Sequence, residues 1–523
     1  MGAPELNEQP GDVLSNEDLT QAAAGGLRWI AYARVAIELI LLGSMVMLAR
    51  LITPAQFGVF AVVLIVQELA VSIPGEGIGS AMVQRKSISK DHLQGGLMMS
   101  LGVGLALGAL TVLVALLAVR PLFDEQTAML MIGTTPAFLF GAVFAAPMAV
   151  LRRRLDFRRL SIVDLATSAT RALATLALAL IGLNAAALVF GNLAALGLGL
   201  VLALCFAPVP LPRWRPKAMR ELLSYGGPAS LATVAWAGFR NGDYVIIGAT
   251  LGSALAGIYW RAYQLAVEYQ RKVAIAMTQI AFPVLSRTAG MEEMLVLRQR
   301  MVQLLAVVLF PLLALLLVLA PVVIPWLFGP AWEPAVVPTQ ILVAGGASTL
   351  VIDACGSALM AAGRARTLLG YGVAHFVVYI GAVLALVQFG LPAVAIGGAV
   401  VHTVFLGVAY IVLLRGQVQS PLRVLWQDLA PALVACLGLV VVAGPVYLGL
   451  TGVDAPTLLC IAAVSLAGGV AYLATLRLLY PAPAGDLRRA IARLLPSRPA
   501  WMPQRLRLRN TDLLASAAPD SNR

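Results

Sequence analysis

The 523-residue sequence has few of the charged residues that cover the surface of a soluble protein. Only 12% of its residues are Asp, Glu, Lys or Arg, whereas 60% are hydrophobic, and its mean hydropathy is +0.89. A soluble domain has roughly a quarter charged residues. The scarcity of charge therefore excludes a soluble globular fold and predicts a polytopic membrane protein.

Cysteine is also scarce. The four cysteines, Cys205, Cys355, Cys436 and Cys460, lie in or beside apolar segments and form no CxxC or Cys/His cluster. We therefore interpret them as packing residues and predict no metal site. The basic n-region of a cleavable signal is lacking too, because residues 1–26 are polar and acidic. We expect the first span to stay in the mature protein.

What the sequence does contain is a long series of apolar runs. A membrane-spanning helix needs about 20 apolar residues, whereas a barrel strand needs about 10 in an alternating pattern. Runs of the longer kind favour helices, which satisfy their own backbone hydrogen bonds. The predicted fold is therefore an all-α polytopic membrane protein with about fourteen transmembrane helices. The predicted spans are 28–49, 57–82, 93–119, 127–150, 161–182, 185–207, 225–250, 255–281, 301–325, 335–362, 367–389, 393–414, 429–450 and 456–479.

The positions of the basic residues predict the orientation. A net charge of +12 would suggest nucleic-acid binding in a soluble protein, but here Lys and Arg gather in the loops between spans, so we predict no nucleic-acid partner. Almost all of these residues fall on one side, and the other side has only Arg50 and Arg120. Because basic loops stay cytoplasmic, both termini are predicted to be cytoplasmic.

A faint repeat divides the chain. Residues 49–60, ARLITPAQFGVF, and 249–259, ATLGSALAGIY, each end a span, turn, and open the next helix with Gly-x-aromatic. Both copies follow a helix that runs outward, so they predict two six-helix lobes arranged as a parallel, V-shaped repeat, with an extra C-terminal helix pair. Chance similarity between turns is the alternative. The predicted parts are a cytoplasmic tail (1–26), an N-lobe (27–207), a basic cytoplasmic linker (208–224), a C-lobe (225–414), a cytoplasmic loop with helices 13 and 14 (415–480) and a basic cytoplasmic tail (481–523).

Charged residues interrupt several of the predicted spans, and each costs about 2.5 to 3.5 kcal/mol at the bilayer centre. Helix 1 has Arg34 and Glu38 four residues apart, and helix 7 has Arg240 and Asp243 three apart. Both spacings place the two side chains on one helix face, where they can neutralise each other. The polar residues of helix 8 follow a stripe at helical spacing. They are Arg261, Gln264, Glu268, Arg271, Lys272 and Gln279.

These charges predict a hydrated cavity between the lobes, because a charged stripe cannot face lipid. The cations Arg34, Arg240, Arg261, Arg271 and Lys272 outnumber the acids Glu38, Asp243 and Glu268. An excess of cations suits an anionic substrate, and arginine suits phosphate. The alternative is a set of buried salt bridges that fix helix register.

Three further polar residues lie alone in predicted spans. Asp353 is interpreted as bonded to a neighbouring helix, with ion binding as the alternative. His375 and His402 are interpreted as lone packing residues, with a proton relay as the alternative.

Five stretches together carry a resemblance to a known family. They are LARLITPAQFGVFAVV, RNGDYVIIGATLGSALAGIYWRAYQLA, IAFPVLSR (280–287), FGPAWEPA and MAAGRARTLLGY (360–371). In this order they resemble the Wzx-type polysaccharide flippases, most closely the branch of colanic-acid and other exopolysaccharide exporters. That branch belongs to the multidrug/oligosaccharidyl-lipid/polysaccharide exporter superfamily. The resemblance covers about residues 25–415.

The resemblance implies a transporter in the bacterial inner membrane. It would move an undecaprenyl-pyrophosphate-linked oligosaccharide from the cytoplasmic to the periplasmic leaflet, for exopolysaccharide or lipopolysaccharide synthesis. The implied partners are this lipid-linked glycan, membrane lipids, and polysaccharide polymerase and export machinery. No cofactor is implied beyond a proton or sodium gradient. Arg34, Arg271 and Lys272 are the expected substrate ligands on the cytoplasmic side, and Arg240 and Arg261 in the outward-facing state. The candidates for ion coupling or charge pairing are Glu38, Asp243, Glu268 and Asp353.

Three other functions stay open. A drug or metabolite antiporter would more often have an acidic, aromatic cavity. A lipid II flippase shares the topology and an anionic lipid substrate, and only the quoted motifs separate it from the first interpretation. A membrane enzyme of glycan assembly would use an acidic pair near the outer surface, for which only Asp124 and Glu125 qualify. Because the outer loops are a few residues long, we predict no enzyme activity and no catalytic residues.

Overall fold

The computed structural model describes residues 16–85, 87–272, 274, 291–361, 364–415, 418–483, 485 and 488. Every regular element in these ranges is a helix, so the predicted all-α class is confirmed. We number the helices α1 to α14. They are α1 (Asn16–Leu51), α2 (Pro54–Gln84), α3 (Lys90–Leu122), α4 (Glu125–Arg153), α5 (Phe157–Leu180), α6 (Asn184–Phe206), α7 (Pro216–Leu251), α8 (Ser253–Tyr263, continuing through residue 272), α9 (Met291–Phe328), α10 (Val336–Ala361), α11 (Ala365–Leu386), α12 (Leu391–Leu413), α13 (Pro421–Gly452) and α14 (Thr457–Leu479).

Within the described residues, eleven of these helices are long and apolar enough to cross a membrane. They are α2 to α6 and α9 to α14. The remaining three, α1, α7 and α8, are the helices that contain the five cations predicted to bind substrate. The chain is therefore a multi-pass α-helical membrane protein, and the number of fourteen spans stays a prediction.

Several helices extend beyond the apolar runs that predict them. The first helix begins at Asn16 rather than at 28, α7 at Pro216 rather than at 225, and α9 at Met291 rather than at 301. Hydropathy detects only the part of a helix that is apolar. At the start of α7, proline suits the first helical position.

The two copies of the predicted repeat pack against each other. A Cβ on Gly58 in α2 would lie only 2.6 Å from the carbonyl carbon of Ser253, and a Cβ on Gly257 in α8 would lie 2.9 Å from that of Pro54. Residues with a side chain cannot approach this closely. The contact is reciprocal, because Pro54 precedes Gly58 by the same distance as Ser253 precedes Gly257. An approximate two-fold axis therefore passes between α2 and α8. We call α1–α6 the first half and α7–α12 the second half.

Three helices contain a π-helical turn, at Gly75–Gly79 in α2, Ala115–Val119 in α3 and Gln264–Glu268 in α8. A π turn takes up extra residues, so the residues after it are rotated relative to a regular helix. The polar stripe predicted for α8 is therefore wrong as a single face. Arg261 before the turn and Arg271 after it meet different neighbours, and Gln279 lies outside the described residues.

Ion pairs join α2, α3 and α7 at one end of the bundle, which we call the basic end. The carboxylate of Glu221 in α7 lies 2.6 Å from Arg85 Nη2, just after α2, and 3.0 Å from His92 Nε2 in α3. Arg215, just before α7, pairs with Asp91 at 3.2 Å. The start of α7 is therefore attached to the first half.

Helices α13 and α14 pack on each other and on α9. A buried ion pair fixes this arrangement, with Arg298 Nη1 in α9 donating to Asp428 Oδ2 in α13 at 2.8 Å. The hydroxyl of Tyr410 in α12 donates to the same carboxylate at 2.7 Å. The extra helix pair, for which the sequence suggests no role, is thus attached to the second half. The basic tail predicted for residues 481–523 lies almost entirely outside the described residues.

Candidate substrate site between the two halves

One ion pair joins the two halves part-way along their helices. Lys272 Nζ in α8 lies 3.4 Å from Glu38 Oε2 in α1, and their side chains keep 38% and 35% of their surface accessible. Nearby, the Tyr269 hydroxyl in α8 donates to Met45 Sδ in α1 at 2.6 Å. Charged side chains in membrane-length helices avoid lipid. We therefore infer that the accessible surface of this pair faces a gap between the halves rather than lipid.

Arg271, next to Lys272, is held within the second half. Its Nε donates to Asp353 Oδ2 in α10 at 3.0 Å, and its Nη1 lies 3.5 Å from Glu268 Oε1 one turn earlier in α8. Asp353 is thus a partner of Arg271, as the neighbour-bonded interpretation predicts. Arg271 and Lys272 are adjacent in sequence, yet they are bound by acids from different halves.

The predicted excess of positive charge depends on two side chains outside the described residues. Among the described ones, the carboxylates of Glu38, Glu268 and Asp353 pair with Lys272 and Arg271. The sequence count omitted Asp353, which lies on a different helix from the charges it neutralises. The side chains of the other two candidate cations, Arg34 and Arg240, are not described, and their predicted pairing with Glu38 and Asp243 stays a prediction.

Arg261 has a different environment from the other cations. Only 1% of the residue is exposed. Its guanidinium carbon lies 4.6 Å from the ring centre of Phe57, 5.2 Å from Trp260, 5.2 Å from Phe328 and 4.9 Å from Trp332. These distances are within the range of cation–π attraction. We call these four residues the aromatic cage.

The guanidinium in the cage has few polar partners. Its Nη1 donates to Gln264 at 3.4 Å, whereas Nε and Nη2 are buried and form no hydrogen bond with any described residue. The carboxylates of Glu38, Glu268 and Asp353 pair with Lys272 and Arg271 instead. Arg261 is therefore a buried cation with two nitrogen atoms, Nε and Nη2, whose N–H groups are unused.

The end of the bundle next to this cage, which we call the Arg50 end, is closed by contacts between the halves. Arg50 at the end of α1 donates to the carbonyl oxygens of Trp326 (2.5 Å) and Leu327 (3.0 Å), which lie in the last turn of α9. In return, Trp332 Nε1 donates to the Ala49 carbonyl at 2.8 Å. Helix-terminal carbonyls lack intrahelical partners, so a cation suits them. The short loop predicted before α10 thus folds into the bundle and, with the reciprocal glycine contact, closes this end.

Asp243 lies inside the second half. It is 1% exposed, accepts a hydrogen bond from the Tyr379 hydroxyl at 2.6 Å and accepts another from the Tyr244 backbone N–H at 2.9 Å. The Tyr379 hydroxyl is also 3.4 Å from that of Tyr259. This carboxylate is therefore surrounded by tyrosines of α7, α8 and α11.

The interpretation of His375 and His402 as lone residues is wrong. Their rings are buried and hydrogen-bonded to each other, with His375 Nε2 3.0 Å from His402 Nδ1. The ring of Tyr379, which binds Asp243, stacks on His402 with 5.0 Å between ring centres. The two histidines lie on different helices, so no spacing within one helix could reveal the pair. The structure thus brings a carboxylate, a phenol and two imidazoles into one cluster, which we call the Asp243 cluster.

The acidic pair considered for an enzyme has structural roles. Asp124 accepts a hydrogen bond from the backbone N–H of Thr127 at 2.6 Å and so caps α4. Glu125 pairs with the exposed Arg120 at 3.1 Å. Within the described residues, no group of three or more His, Cys, Asp or Glu side chains is placed to hold a metal ion.

The family described as "Polysaccharide biosynthesis protein" matches residues 47–337, more than half of the chain. The chain belongs to this family. The matched region begins at the end of α1 and includes Arg50, the aromatic cage, Arg261 and Lys272. The contacts that close the Arg50 end therefore lie within the family region, whereas α11 to α14 lie beyond it.

Two curated relatives are similar over most of their length. The chain is 22% identical over 396 residues to an uncharacterized membrane protein in the cps region of Klebsiella pneumoniae, covering 74% of this chain and 81% of the relative. It is 25% identical over 389 residues to the lipopolysaccharide biosynthesis protein WzxC of Escherichia coli K12, covering 73% and 76%. These matches confirm the resemblance to Wzx-type flippases that the motifs predict. As a member of the family, this chain is a multi-pass inner-membrane protein.

Among solved structures, the inward closed conformation of the lipid II flippase MurJ is similar with a TM-score of 0.70. The similarity covers 86% of this chain and 98% of MurJ, at 13% sequence identity. At this identity the comparison shows the fold alone. The chain thus shares the polytopic fold of MurJ, and this likeness does not separate a lipid II flippase from a polysaccharide flippase.

Proposed function

We propose that this protein flips an oligosaccharide, carried on undecaprenyl pyrophosphate, from the cytoplasmic to the periplasmic leaflet of the inner membrane. The glycan would serve exopolysaccharide or lipopolysaccharide synthesis. The observation that carries the proposal is the pair of adjacent cations, Arg271 and Lys272, beside the gap between the halves of a polysaccharide-biosynthesis family member. A pyrophosphate is the kind of ligand that charge-assisted hydrogen bonds from such cations bind well.

The ion pairs suggest how substrate and movement are linked. A phosphate that binds Lys272 competes with Glu38 for it, and this carboxylate belongs to the other half. Substrate binding therefore weakens one contact between the halves and favours their relative movement, as alternating access requires. Arg271 has two acids within its own half and is the more rigid of the two ligands.

The basic end is assigned to the cytoplasm by the positive-inside distribution of Lys and Arg. The Arg50 end then faces the periplasm, and the described state is closed on that side. The substrate would enter from the cytoplasmic leaflet, meet Arg271 and Lys272, and leave when the contacts at the Arg50 end separate.

For energy coupling we propose protons rather than sodium, with the Asp243 cluster as the proton site. A hard cation needs several free oxygen ligands, whereas this cluster offers one carboxylate already bonded to Tyr379 and two imidazoles, which exchange protons readily. Asp243→Asn should abolish transport driven by a pH gradient while leaving substrate binding unchanged. A sodium gradient that drives transport equally well would refute this assignment. Among the described residues, the other charged or titratable groups that interact with this cluster are Tyr244, Tyr259, Tyr263, Glu268, Arg271 and Tyr371.

The proposed function is tested by reconstitution into vesicles with a lipid-linked oligosaccharide, followed by an assay of how much glycan reaches the far leaflet. Reversing Arg271 and Lys272 to Glu should abolish flipping. As a matched control, Arg152→Glu with Arg154→Glu reverses two exposed arginines at the C-terminal end of α4 and should flip normally. Equal flipping by both double variants would remove Arg271 and Lys272 from the site. Vesicles supplied with lipid II instead test the rival substrate.

A further inference from the structure

The environment of the Arg261 side chain is unusual for a positive charge. A cation moved out of water without a counter-ion is strongly unfavourable, and a guanidinium whose N–H groups lack acceptors loses further hydrogen bonds. In the described residues the four rings of the aromatic cage offset this cost only in part, because ring faces attract the charge but accept no strong hydrogen bonds. Nε and Nη2 stay unused. The arrangement is suited to an anion that would supply both a charge and acceptors.

The cage is formed by both halves. Phe57, the ring nearest to the guanidinium at 4.6 Å, lies in α2 of the first half, next to the glycine that touches α8. Trp260 belongs to α8, Phe328 is the last residue of α9, and Trp332 lies in the α9–α10 connection, all in the second half. Trp332 is itself bonded to Ala49 of the first half. Separation of the halves at the Arg50 end must therefore open the cage and expose Arg261.

We propose that Arg261 is a second, state-dependent phosphate site, which binds the phosphates of the substrate only when the Arg50 end is open. This inference rests on the proposed function. In the described state the cage occupies the guanidinium, so a substrate at Arg271 cannot reach it. Arg261 precedes Arg271 by ten residues, or about 15 Å along an α-helix, so the two sites are successive positions on one route.

Release of the phosphate then depends on competition, because the phosphate and the aromatic rings bind the same guanidinium. When the Arg50 end opens, Arg261 exchanges the ring faces for a phosphate that satisfies its charge and its N–H donors. When that end closes again, Phe57 returns to the guanidinium and displaces the phosphate. Closure with the phosphate still bound would leave the anion in a dry aromatic site, so closing favours release of the lipid in the outer leaflet.

The test measures how an anion shifts the open state, with inorganic pyrophosphate as the probe. Ala49→Cys places a thiol at a buried position beside the closing contacts, in a background with the exposed Cys205 replaced by Ser. Purified protein is labelled with a maleimide at increasing pyrophosphate concentration. Because Arg261 is available to the anion only in the open state, binding there should accelerate labelling about tenfold at ten times the dissociation constant of that site.

Arg261→Gln should remove this acceleration, and Arg261→Lys should retain part of it because the charge remains without the planar fork. The matched control is Arg120→Gln, which removes an exposed cation at the same end and should respond like the parent protein. If Arg261→Gln responds to pyrophosphate as strongly as Arg120→Gln, the site is refuted and the response belongs to general electrostatics.

Phe57→Leu tests the cage without removing the charge. It should raise the basal labelling rate and keep the pyrophosphate response, and an unchanged basal rate would contradict the role of the cage in closure. The outcome is separable from the proposed function. Flipping with no pyrophosphate effect would refute the Arg261 site alone, whereas a pyrophosphate effect that requires Arg261 without glycan flipping would refute the proposed substrate.

Discussion

Gly58 provides a quantitative test of the closed Arg50 end. In Gly58→Ala, the new methyl group would lie 2.6 Å from the Ser253 carbonyl carbon and 2.9 Å from the Gly257 nitrogen, whereas ordinary contacts begin at 3.4 Å. All of these neighbours are backbone atoms, so no side-chain rotation can relieve the overlap. The backbones of α2 and α8 must separate by at least the difference between 2.6 and 3.4 Å. Overpacking of this kind costs about 1 to 3 kcal/mol, which shifts the equilibrium between closed and open states by roughly 5- to 150-fold.

The assay is maleimide labelling of Ala49→Cys in the same Cys205→Ser background, together with the thermal unfolding temperature. We expect Gly58→Ala to label faster by a factor in that range while the rest of the fold stays intact. Gly43→Ala is the matched control, because a methyl group there meets nothing within 4 Å. If the two variants label at the same rate and unfold at the same temperature, the reciprocal contact does not close this end.

Three further predictions concern ion pairs in other parts of the fold. Lys272→Glu should abolish surface polysaccharide in cells, and adding Glu38→Lys should restore part of it because the pair between the halves forms again with reversed polarity. Arg298→Met should lower the unfolding free energy by about 3 to 5 kcal/mol, because it leaves a buried carboxylate unpaired; Arg298→Met with Asp428→Leu should recover most of that loss in denaturant titrations. The pKa of Glu221 is lowered by the hydrogen bond from His92 on α3 and by the charge of Arg85. The Glu221 carboxylate therefore stabilises the fold at neutral pH, and this contribution is lost as the pH falls through the lowered native pKa. The unfolding temperatures of wild type and Glu221→Gln should therefore differ at neutral pH and converge below about pH 4, and parallel pH profiles would contradict this role.

The sequence predicts the helices well where hydropathy alone determines them. The apolar runs coincide with α2 to α6 and α9 to α14, because a helix in lipid needs a continuous apolar surface. The repeat between residues 49–60 and 249–259 also corresponds to a real contact, since close approach of two backbones requires glycine at both places. The ends of α1, α7 and α9 could not be predicted from hydropathy, because their extensions are polar.

The partners of the charged side chains could not be predicted from the sequence. Spacing within one helix suggests local pairs, but Glu38 binds Lys272 from the other half, and Arg271 binds Asp353 on α10. The π turn at Gln264–Glu268 rotates the second part of α8 and has no signature that periodicity would detect. The aromatic cage around Arg261 likewise combines rings from both halves. Each of these features depends on how helices pack together, which a single sequence leaves open.

The central claim is that the protein moves a lipid-linked glycan between leaflets, and a leaflet-resolved assay tests it most directly. The protein is depleted in its host, and undecaprenyl-pyrophosphate-linked glycan is measured separately on the cytoplasmic and periplasmic faces of the inner membrane. We predict that intact repeat units accumulate on the cytoplasmic face while surface polysaccharide falls, and that wild-type protein but not the Arg271 and Lys272 reversal restores both. Unpolymerised repeat units on the periplasmic face would contradict the account, because transport would then proceed without this protein.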